Sequence, residues 1–247
     1  MSLTYLSLFS GIGGLDLGLD RAGWTCAGQV ERDPYCRAVL ARHWPEVPRH
    51  DDVRTTPAWW LSQPRPAVQL VAGGFPCQPV SSMGKRRAQD DPRWGWPWFL
   101  DVLRAVRPRY VLVENVVGLL DTGFGDVLGG LASLGFDAEW SVLSACAFGA
   151  PHSRERLFTL AYPAGADGFE ALQVPAAVAG GRADAGAEGC SPGWTGWLPE
   201  PAVDRVAHGA SRSVGFEELT ALGNAVVPRV GKFLGRLIAK HALAGAS

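Results

Sequence analysis

The chain has 247 residues, of which 47% are hydrophobic and 19% charged, with a formal net charge of −1. That is an ordinary globular composition, long enough for one large domain or for one domain with a small appendage. A near-zero net charge excludes a global field that draws the molecule onto nucleic acid or membrane, so any such partner needs a local basic patch.

The first predicted element is a strand in "LTYLSLF" (3–9), followed by the glycine turn "SGIGG" and a helix through "LDLGLDRAGW". A strand over "TCAGQVE" (25–31) leads to a helix over "DPYCRAVLARHW", with Asp33 as N-cap and Pro34 at the first helical position. A short third strand precedes "HDDV". Next come a buried strand in "AVQLVAGG" (67–74), a helix over 97–106, a strand in "RYVLVENV" (109–116) and a weaker helix over 124–135. "FDAEWSVLSA" and "RLFTLAY" are later strands. Apolar strands alternating with helices predict an α/β fold with a mostly parallel sheet covered on both faces. Ligands of such sheets gather at the carboxyl ends of the strands, where loops 9–14, 31–32, 51–53, 74–96 and 114–118 fall.

The later chain differs in kind. About half of residues 163–193 are Ala or Gly, with few residues able to form a core. "AVVPRVGKFLGRLIAKHAL" then predicts a closing helix. Val230, Phe233, Leu234, Leu237 and Ile238 form its apolar face, and Arg229, Lys232, Arg236 and Lys240 lie opposite. No run approaches ~18 uninterrupted apolar residues and the N-terminus carries no basic stretch ahead of an apolar one, which predicts a cytoplasmic protein without membrane association. The five cysteines (26, 36, 77, 146 and 190) are odd in number and never spaced C-x-x-C, so neither a disulfide framework nor a metal site is expected. Cys26 and Cys36 fall within regular elements and are read as inert core thiols.

Two groups of residues carry chemistry. At the first, Gly11, Gly13 and Gly14 allow a ligand to approach the main chain at a helix N-terminus. Glu31, 20 residues after Gly11, suits ribose hydroxyls, and Asp52 is placed to accept from an adenine amino group. These features indicate an adenosine-containing ligand and do not separate NAD from S-adenosylmethionine. At the second, Cys77 stands in "GGFPCQPVSS", where Pro76 and Pro79 deny it regular structure. Glu114 ends an apolar strand, where burial raises a carboxyl pKa. In "PHSRER", Arg154 and Arg156 alternate with Glu155, so on a strand both guanidiniums face the same way.

Jointly these groups suggest a thiolate adding to an electrophilic ring carbon, an acid at the adjacent ring nitrogen and a guanidinium at a carbonyl oxygen. Cytosine has that pattern. Attack at carbon 6 makes carbon 5 nucleophilic, able to take a methyl group from a sulfonium donor.

The motifs "FSGIGG", "VERDPYC", "DDV", "GGFPCQPVS", "VLVENV", "FGAPHSRERLF" and "LGNAVVP" occur in this order. Together they resemble the cytosine-5 DNA methyltransferase family of bacterial and phage type. The resemblance covers most of residues 3–162 and 216–238. It implies a Rossmann-like S-adenosylmethionine-dependent methyltransferase fold whose C-terminal helix packs beside the N-terminal part. It makes Cys77 the nucleophile, Glu114 the ring-nitrogen partner and Arg156 a base contact, with Arg154 nearby. Phe9, Gly11, Gly13, Glu31, Asp52 and Asn224 would line the S-adenosyl-L-methionine site. The implied organisation is a catalytic domain over 1–162, a short target-recognition or linker segment over 163–215, and a C-terminal helix within 216–247 completing the catalytic domain. The implied partner is double-stranded DNA with its target base flipped out, a cognate restriction endonuclease acting separately, and the protein itself is expected as a monomer in a bacterial cell or phage-infected host.

DNA contacts are expected from Ser81, Lys85, Arg86 and Arg87 on a lid after Cys77, with Arg93 beside them, and from Arg205 and Arg212. His208, Trp194 and Trp197 accompany the last two. Two departures from the family pattern stand out: His152 replaces the usual glutamine, and the recognition segment is short. An RNA cytosine-5 methyltransferase and a non-catalytic DNA-binding or antirestriction protein of the same fold are the alternative readings.

Overall fold

The computed structural model describes residues 3–76, 94–150, 152–169, 221–222 and 224–244. Seven strands form one sheet: β1 (Thr4–Leu8), β2 (Thr25–Val30), β3 (Arg49–His50), β4 (Leu70–Gly73), β5 (Tyr110–Asn115), β6 (Phe136–Ser144) and β7 (Glu155–Pro163). Their order is β3-β2-β1-β4-β5-β7-β6. The first five strands are parallel, and β7 runs antiparallel to both β5 and β6. The mostly parallel sheet expected from the sequence is therefore present, ending in an antiparallel hairpin at one edge.

Alternation along the strands sends apolar side chains to both faces. Leu6, Leu8, Val71, Val111 and Val113 pack in one buried cluster, while Tyr5, Leu70, Ala72, Tyr110 and Leu112 pack in the other. The first cluster is closed by Trp60 of α3 (Thr56–Leu61), Phe99 and Val102 of α4 (Trp96–Val106), and Val127 and Leu131 of α6 (Phe124–Ser133). A short helix, α5 (Leu119–Thr122), precedes α6. The second cluster is closed by Leu15 and Leu19 of α1 (Gly14–Arg21), and by Leu234 and Ile238 of the last helix, α7 (Pro228–Ala244). Full burial of one such aliphatic side chain contributes about 1.5–3 kcal/mol.

Helix α2 (Pro34–His43) starts as the sequence predicts: Asp33 accepts from the Cys36 backbone N–H at 2.8 Å, with Pro34 inside the first turn. Helix α7 returns to α1. A Cβ on Gly18 would lie 2.8 Å from the Gly231 Cα, so the two helices cross backbone to backbone. Trp24 Nε1 donates to the Gly235 carbonyl at 2.9 Å across that junction. Of the basic residues, Arg236 and Lys240 are exposed, whereas half-buried Arg229 donates to the Phe148 carbonyl at 3.3 Å. Helix α3 was not legible in "TPAWWL", which is too short to show a helical period.

Because β1, β2, β4 and β5 are parallel, Leu8, Val30, Gly73 and Asn115 end at one edge of the sheet. Antiparallel β7 begins at that same edge, with Asn115 opposite Leu157. Between β6 and β7 a 3₁₀ turn (Ala145–Phe148) and Gly149 at φ 83° reverse the chain, and Ala145 N–H donates to Arg154 O at 2.9 Å.

Candidate active site

The loops at this edge enclose a cavity of about 730 Å³. Its first end is built on the turn after β1. Gly11 (φ 55°) and Gly13 (φ 83°) both lie in the left-handed region, and Phe9 also sits there at φ 52°. For Phe9 that conformation costs of order 1–3 kcal/mol, held in place by the surrounding structure. Gly11 N–H donates to Glu31 Oε2 at 2.7 Å, and Asp33 N–H donates to Glu31 Oε1 at 2.8 Å. One carboxylate thereby ties the loop after β1 to the loop after β2. Each Glu31 oxygen retains lone pairs for ligand hydroxyls. Phe9, Gly11, Glu31 and Asn224 all line the cavity.

Gly13 and Asp52 do not line it. Gly13 is the N-cap of α1, and a Cβ there would meet the Trp44 ring at 2.5 Å, so its smallness serves packing. Asp52 is engaged by Arg54, whose Nε contacts Oδ1 at 2.9 Å and whose second terminal nitrogen contacts Oδ2 at 2.6 Å. These hydrogen bonds hold the Asp52 carboxyl down to about 2. The Arg54 guanidinium in turn lies 5.9 Å from the centre of the Trp98 ring, which does line the cavity.

The second end is built on β4, β5 and β7. Glu114, next to last in β5, has only 12% of its side chain exposed and lies 3.1 Å from Arg156, Nε to Oε1. Burial raises the Glu114 pKa, and the positive charges of Arg156 and Arg154 oppose that rise. Burial, and then the repulsion of Arg156, lower the pKa of Arg154. Glu114, Arg154 and Arg156 all line the cavity, so the alternation read in "RER" does bring both arginines to the same cavity, with Arg156 paired to the carboxylate. Across from Glu114 is Gly74, where a Cβ would overlap Glu114 Oε2. His152 is exposed.

Cys77 lies outside the described residues, as do Ser81, Lys85, Arg86, Arg87, Arg205 and Arg212. The chain that leads to Cys77 is described as far as Pro76, which lines the cavity. Asn115 Nδ2 donates to the Phe75 carbonyl at 3.1 Å, and Asn115 Oδ1 accepts from Val116 N–H at 2.9 Å. Phe75 packs edge-on against Trp94 at 5.2 Å, and Gly95 N–H donates to the Pro76 carbonyl at 3.4 Å. Both flanks of residues 77–93 are thus anchored side by side. The other thiols are of a different kind: burial pushes Cys36 up to about 12 and also raises Cys26, which keeps both protonated. Among the described residues no group of three or more His, Cys, Asp or Glu could hold a metal ion, and no helix is long and apolar enough to cross a membrane.

Sequence reasoning missed Ser7, Ser10 and Asp16, which also line the cavity. Asp16 is fully buried although it lies in a helix that looks like a surface helix. Its signal is position: Asp16 stands three residues before Leu19, on the face that packs into the core.

The sheet order and the two-ended cavity define a Rossmann-like methyltransferase fold. The model of the C-5 cytosine-specific DNA methylase family matches residues 3–173, and the chain belongs to that family. It is 36% identical over 166 residues to the Type II methyltransferase M.HgiCII of Herpetosiphon aurantiacus, a match covering 63% of this chain and 36% of that protein. It is 34% identical over 176 residues to the Type II methyltransferase M.AquIA of Picosynechococcus sp., covering 64% of this chain and 71% of that protein. Among solved structures, the Dnmt2 methyltransferase of S. pombe superposes with a TM-score of 0.54 at 25% identity, over 68% of this chain and 51% of that one. The chain therefore spans little more than a third of M.HgiCII but most of M.AquIA.

Proposed function

We propose that this chain transfers a methyl group from S-adenosyl-L-methionine to carbon 5 of a cytosine flipped out of double-stranded DNA. The observation that carries the reading is the Glu114–Arg156 pair, held at 3.1 Å in the same cavity as the Gly11–Glu31 cradle, directly beyond Pro76. One cavity thus joins a nucleoside-binding turn to an acid–guanidinium pair, beside the residue before the nucleophile. A volume of about 730 Å³ falls within the range of small-molecule sites. Glu31 and the exposed main chain at Gly11 suit the ribose of the methyl donor, which supplies a methyl group on a sulfonium centre.

The residues act in sequence. Flipping the cytosine costs about a few kcal/mol, offset by contacts to the base inside the pocket. Arg156, with Arg154 beside it, binds oxygen 2. Glu114, its pKa raised by burial, shares a proton with nitrogen 3 and so draws electrons from carbon 6. The Cys77 thiolate adds to carbon 6, and the electron pair moved onto carbon 5 displaces the methyl group from sulfur. Loss of the carbon 5 proton and expulsion of the thiolate restore the aromatic ring.

The test is Cys77→Ala. The variant should lose methyl transfer entirely while retaining S-adenosylmethionine binding. The wild type should form a covalent adduct with DNA containing 5-fluorocytosine, in which the carbon 5 substituent cannot leave as a proton. Base-resolution mapping of DNA from cells expressing each form then reads the target, and a parallel assay on transfer RNA separates the RNA-directed alternative. Full activity in Cys77→Ala would falsify the mechanism.

A further inference from the structure

Gly95, the N-cap of α4, is buried and has φ −79° and ψ −9°, in the right-handed region open to any L-residue. Capping does not call for glycine either, because Ser, Thr, Asp and Asn serve that position at least as well. What the position lacks is room. A Cβ on Gly95 would lie 2.9 Å from Pro76 Cδ and 3.1 Å from Phe75 Cβ. Neither atom is the far end of a flexible side chain, since the first is bonded to the Pro76 nitrogen and the second to the Phe75 Cα. Phe75 cannot give way. Its ring, 3% exposed, is boxed by Trp94 at 5.2 Å, Trp96 at 5.4 Å and Phe99 at 6.4 Å, and its carbonyl accepts from Asn115 Nδ2. Helix α4 cannot retreat, because Trp96 and Phe99 anchor its first turn in the core. Pro76 is exposed and is the part able to move, and the next residue in the chain is Cys77.

We propose that Gly95 is a positioning residue for the nucleophile: its missing side chain lets Pro76 seat directly on the start of α4. That seat sets how far the residue bonded to Pro76 stands from the target base. The inference rests on the reading of Cys77 as the nucleophile given above. The seat has two parts, the steric contact with the Pro76 ring and the hydrogen bond from Gly95 N–H to the Pro76 carbonyl at 3.4 Å. A methyl group at position 95 pushes on the ring and keeps the N–H. Its effect is therefore a displacement of Pro76, and reacting groups tolerate only about 0.5 Å of misplacement. The donor end is spared, because the same Cβ would stand 3.4 Å from the Phe9 ring, an ordinary contact.

The experiment compares Gly95→Ala with Gly130→Ala. A Cβ on Gly130 would lie 2.8 Å from Leu100 Cδ1 and 2.9 Å from Trp96 Nε1, so it crowds α4 as tightly without touching Pro76. The readouts are the single-turnover rate of covalent adduct formation with 5-fluorocytosine DNA at saturating methyl donor, the Kd for S-adenosylhomocysteine by calorimetry, and Tm. Gly95→Ala should slow adduct formation about ten- to hundredfold, the scale of a misplacement below 1 Å, and change the Kd by less than about twofold. Gly130→Ala should stay within about threefold of wild type in rate. A double variant isolates the contact: with Pro76→Ala removing the ring, adding Gly95→Ala should slow the reaction by less than about threefold. That pair also carries the test where Gly95→Ala alone unfolds. A wild-type rate in Gly95→Ala, an equal loss in Gly130→Ala, or a loss as large without the Pro76 ring overturns the proposal. Wild type that forms no adduct overturns the reading of Cys77 itself, a distinct result.

Discussion

Gly74→Ala places one methyl group against the buried Glu114 carboxylate of the candidate site. An ideal Cβ at position 74 would overlap Glu114 Oε2 and lie 3.2 Å from the Glu114 carbonyl oxygen and 3.5 Å from Cδ. Gly74 is not among the glycines with positive φ, so alanine imposes no backbone strain there. Restricting the unfolded chain even favours alanine, by about 0.4–1 kcal/mol. The main chain of β5 cannot retreat, because it is hydrogen-bonded between β4 and β7. The carboxylate must therefore rotate and give up its 3.1 Å contact with Arg156. Both side chains are mostly buried, at 12% and 24% exposed, and disrupting a buried pair costs about 3–5 kcal/mol. Set against the chain-entropy gain, the expected net loss is about 2–4 kcal/mol in urea unfolding. Methyl transfer should fall about 10²–10⁴-fold, the usual contribution of a positioned acid, while donor affinity at the Glu31 end stays unchanged. The decisive measurement is a double-mutant cycle with Glu114→Ala, following tritium transfer from labelled S-adenosylmethionine to DNA. With the carboxylate already gone, Gly74→Ala should cost less than about 0.5 kcal/mol and no further rate. Losses that simply add would show that Gly74 does not act through Glu114.

Two further predictions concern groups that touch no reacting atom. Asn115→Ala removes the donor to the Phe75 carbonyl, two residues before Cys77, and should lower kcat with little change in the KM for the donor. Leaving those buried groups unsatisfied should also cost about 1–3 kcal/mol of stability, readable as a fall in Tm. Asp16 predicts a pH dependence. Its pKa is raised from 3.8 to about 6, so the stability it contributes is complete below about 3.8 and lost as pH rises through about 6. A shift of about two pKa units amounts to about 3 kcal/mol. Unfolding free energies of wild type and Asp16→Asn, measured in urea from pH 4 to pH 8, should diverge by that amount, and parallel curves would refute it.

Strands β1, β4 and β5 were legible because each is a mostly apolar run bounded by glycine or polar residues, and Asp33–Pro34 marked a helix start without ambiguity. What the run does not encode is direction. "FDAEWSVLSA" and "RLFTLAY" read as strands, but only their register, Asn115 opposite Leu157, shows why Arg156 lies past the end of β5 and can reach Glu114. In the site, the glycine turn, Glu31, Glu114 and the paired arginines were readable from residue type and spacing. Asp52 was readable as an acid at a strand end, but not its capture by Arg54, because a fork between residues two apart depends on side-chain rotamers. Asp16 was hidden for a related reason. In "GLDLGLDR" its carboxylate looks like Asp20, and only the packing of α1 on the sheet, where Ser7 of β1 and Gln29 of β2 both donate to Asp16, sets the two apart.

The proposed chemistry places a stringent demand on this fold. A sulfonium methyl and a cysteine sulfur must meet opposite faces of one ring, and a misplacement of about 1 Å can cost 10²-fold in rate. The donor end stands on the loops after β1 and β2, and the base end on those after β4 and β5, so two separate loop systems have to hold a fixed distance. Phe99 of α4, 0% exposed, links them. Its ring stacks with Phe9 at 6.5 Å, beside the Gly11 turn, and meets Phe75 at 6.4 Å, two residues before Cys77. Phe9 is held at φ 52°, a conformation that must be maintained by its neighbours. Asn115 fixes the Phe75 carbonyl from the other side, and Gly95, at the start of α4, fixes that of Pro76. One buried ring on one helix thus buttresses both loops, and the spacing between methyl donor and nucleophile is set by packing within the core.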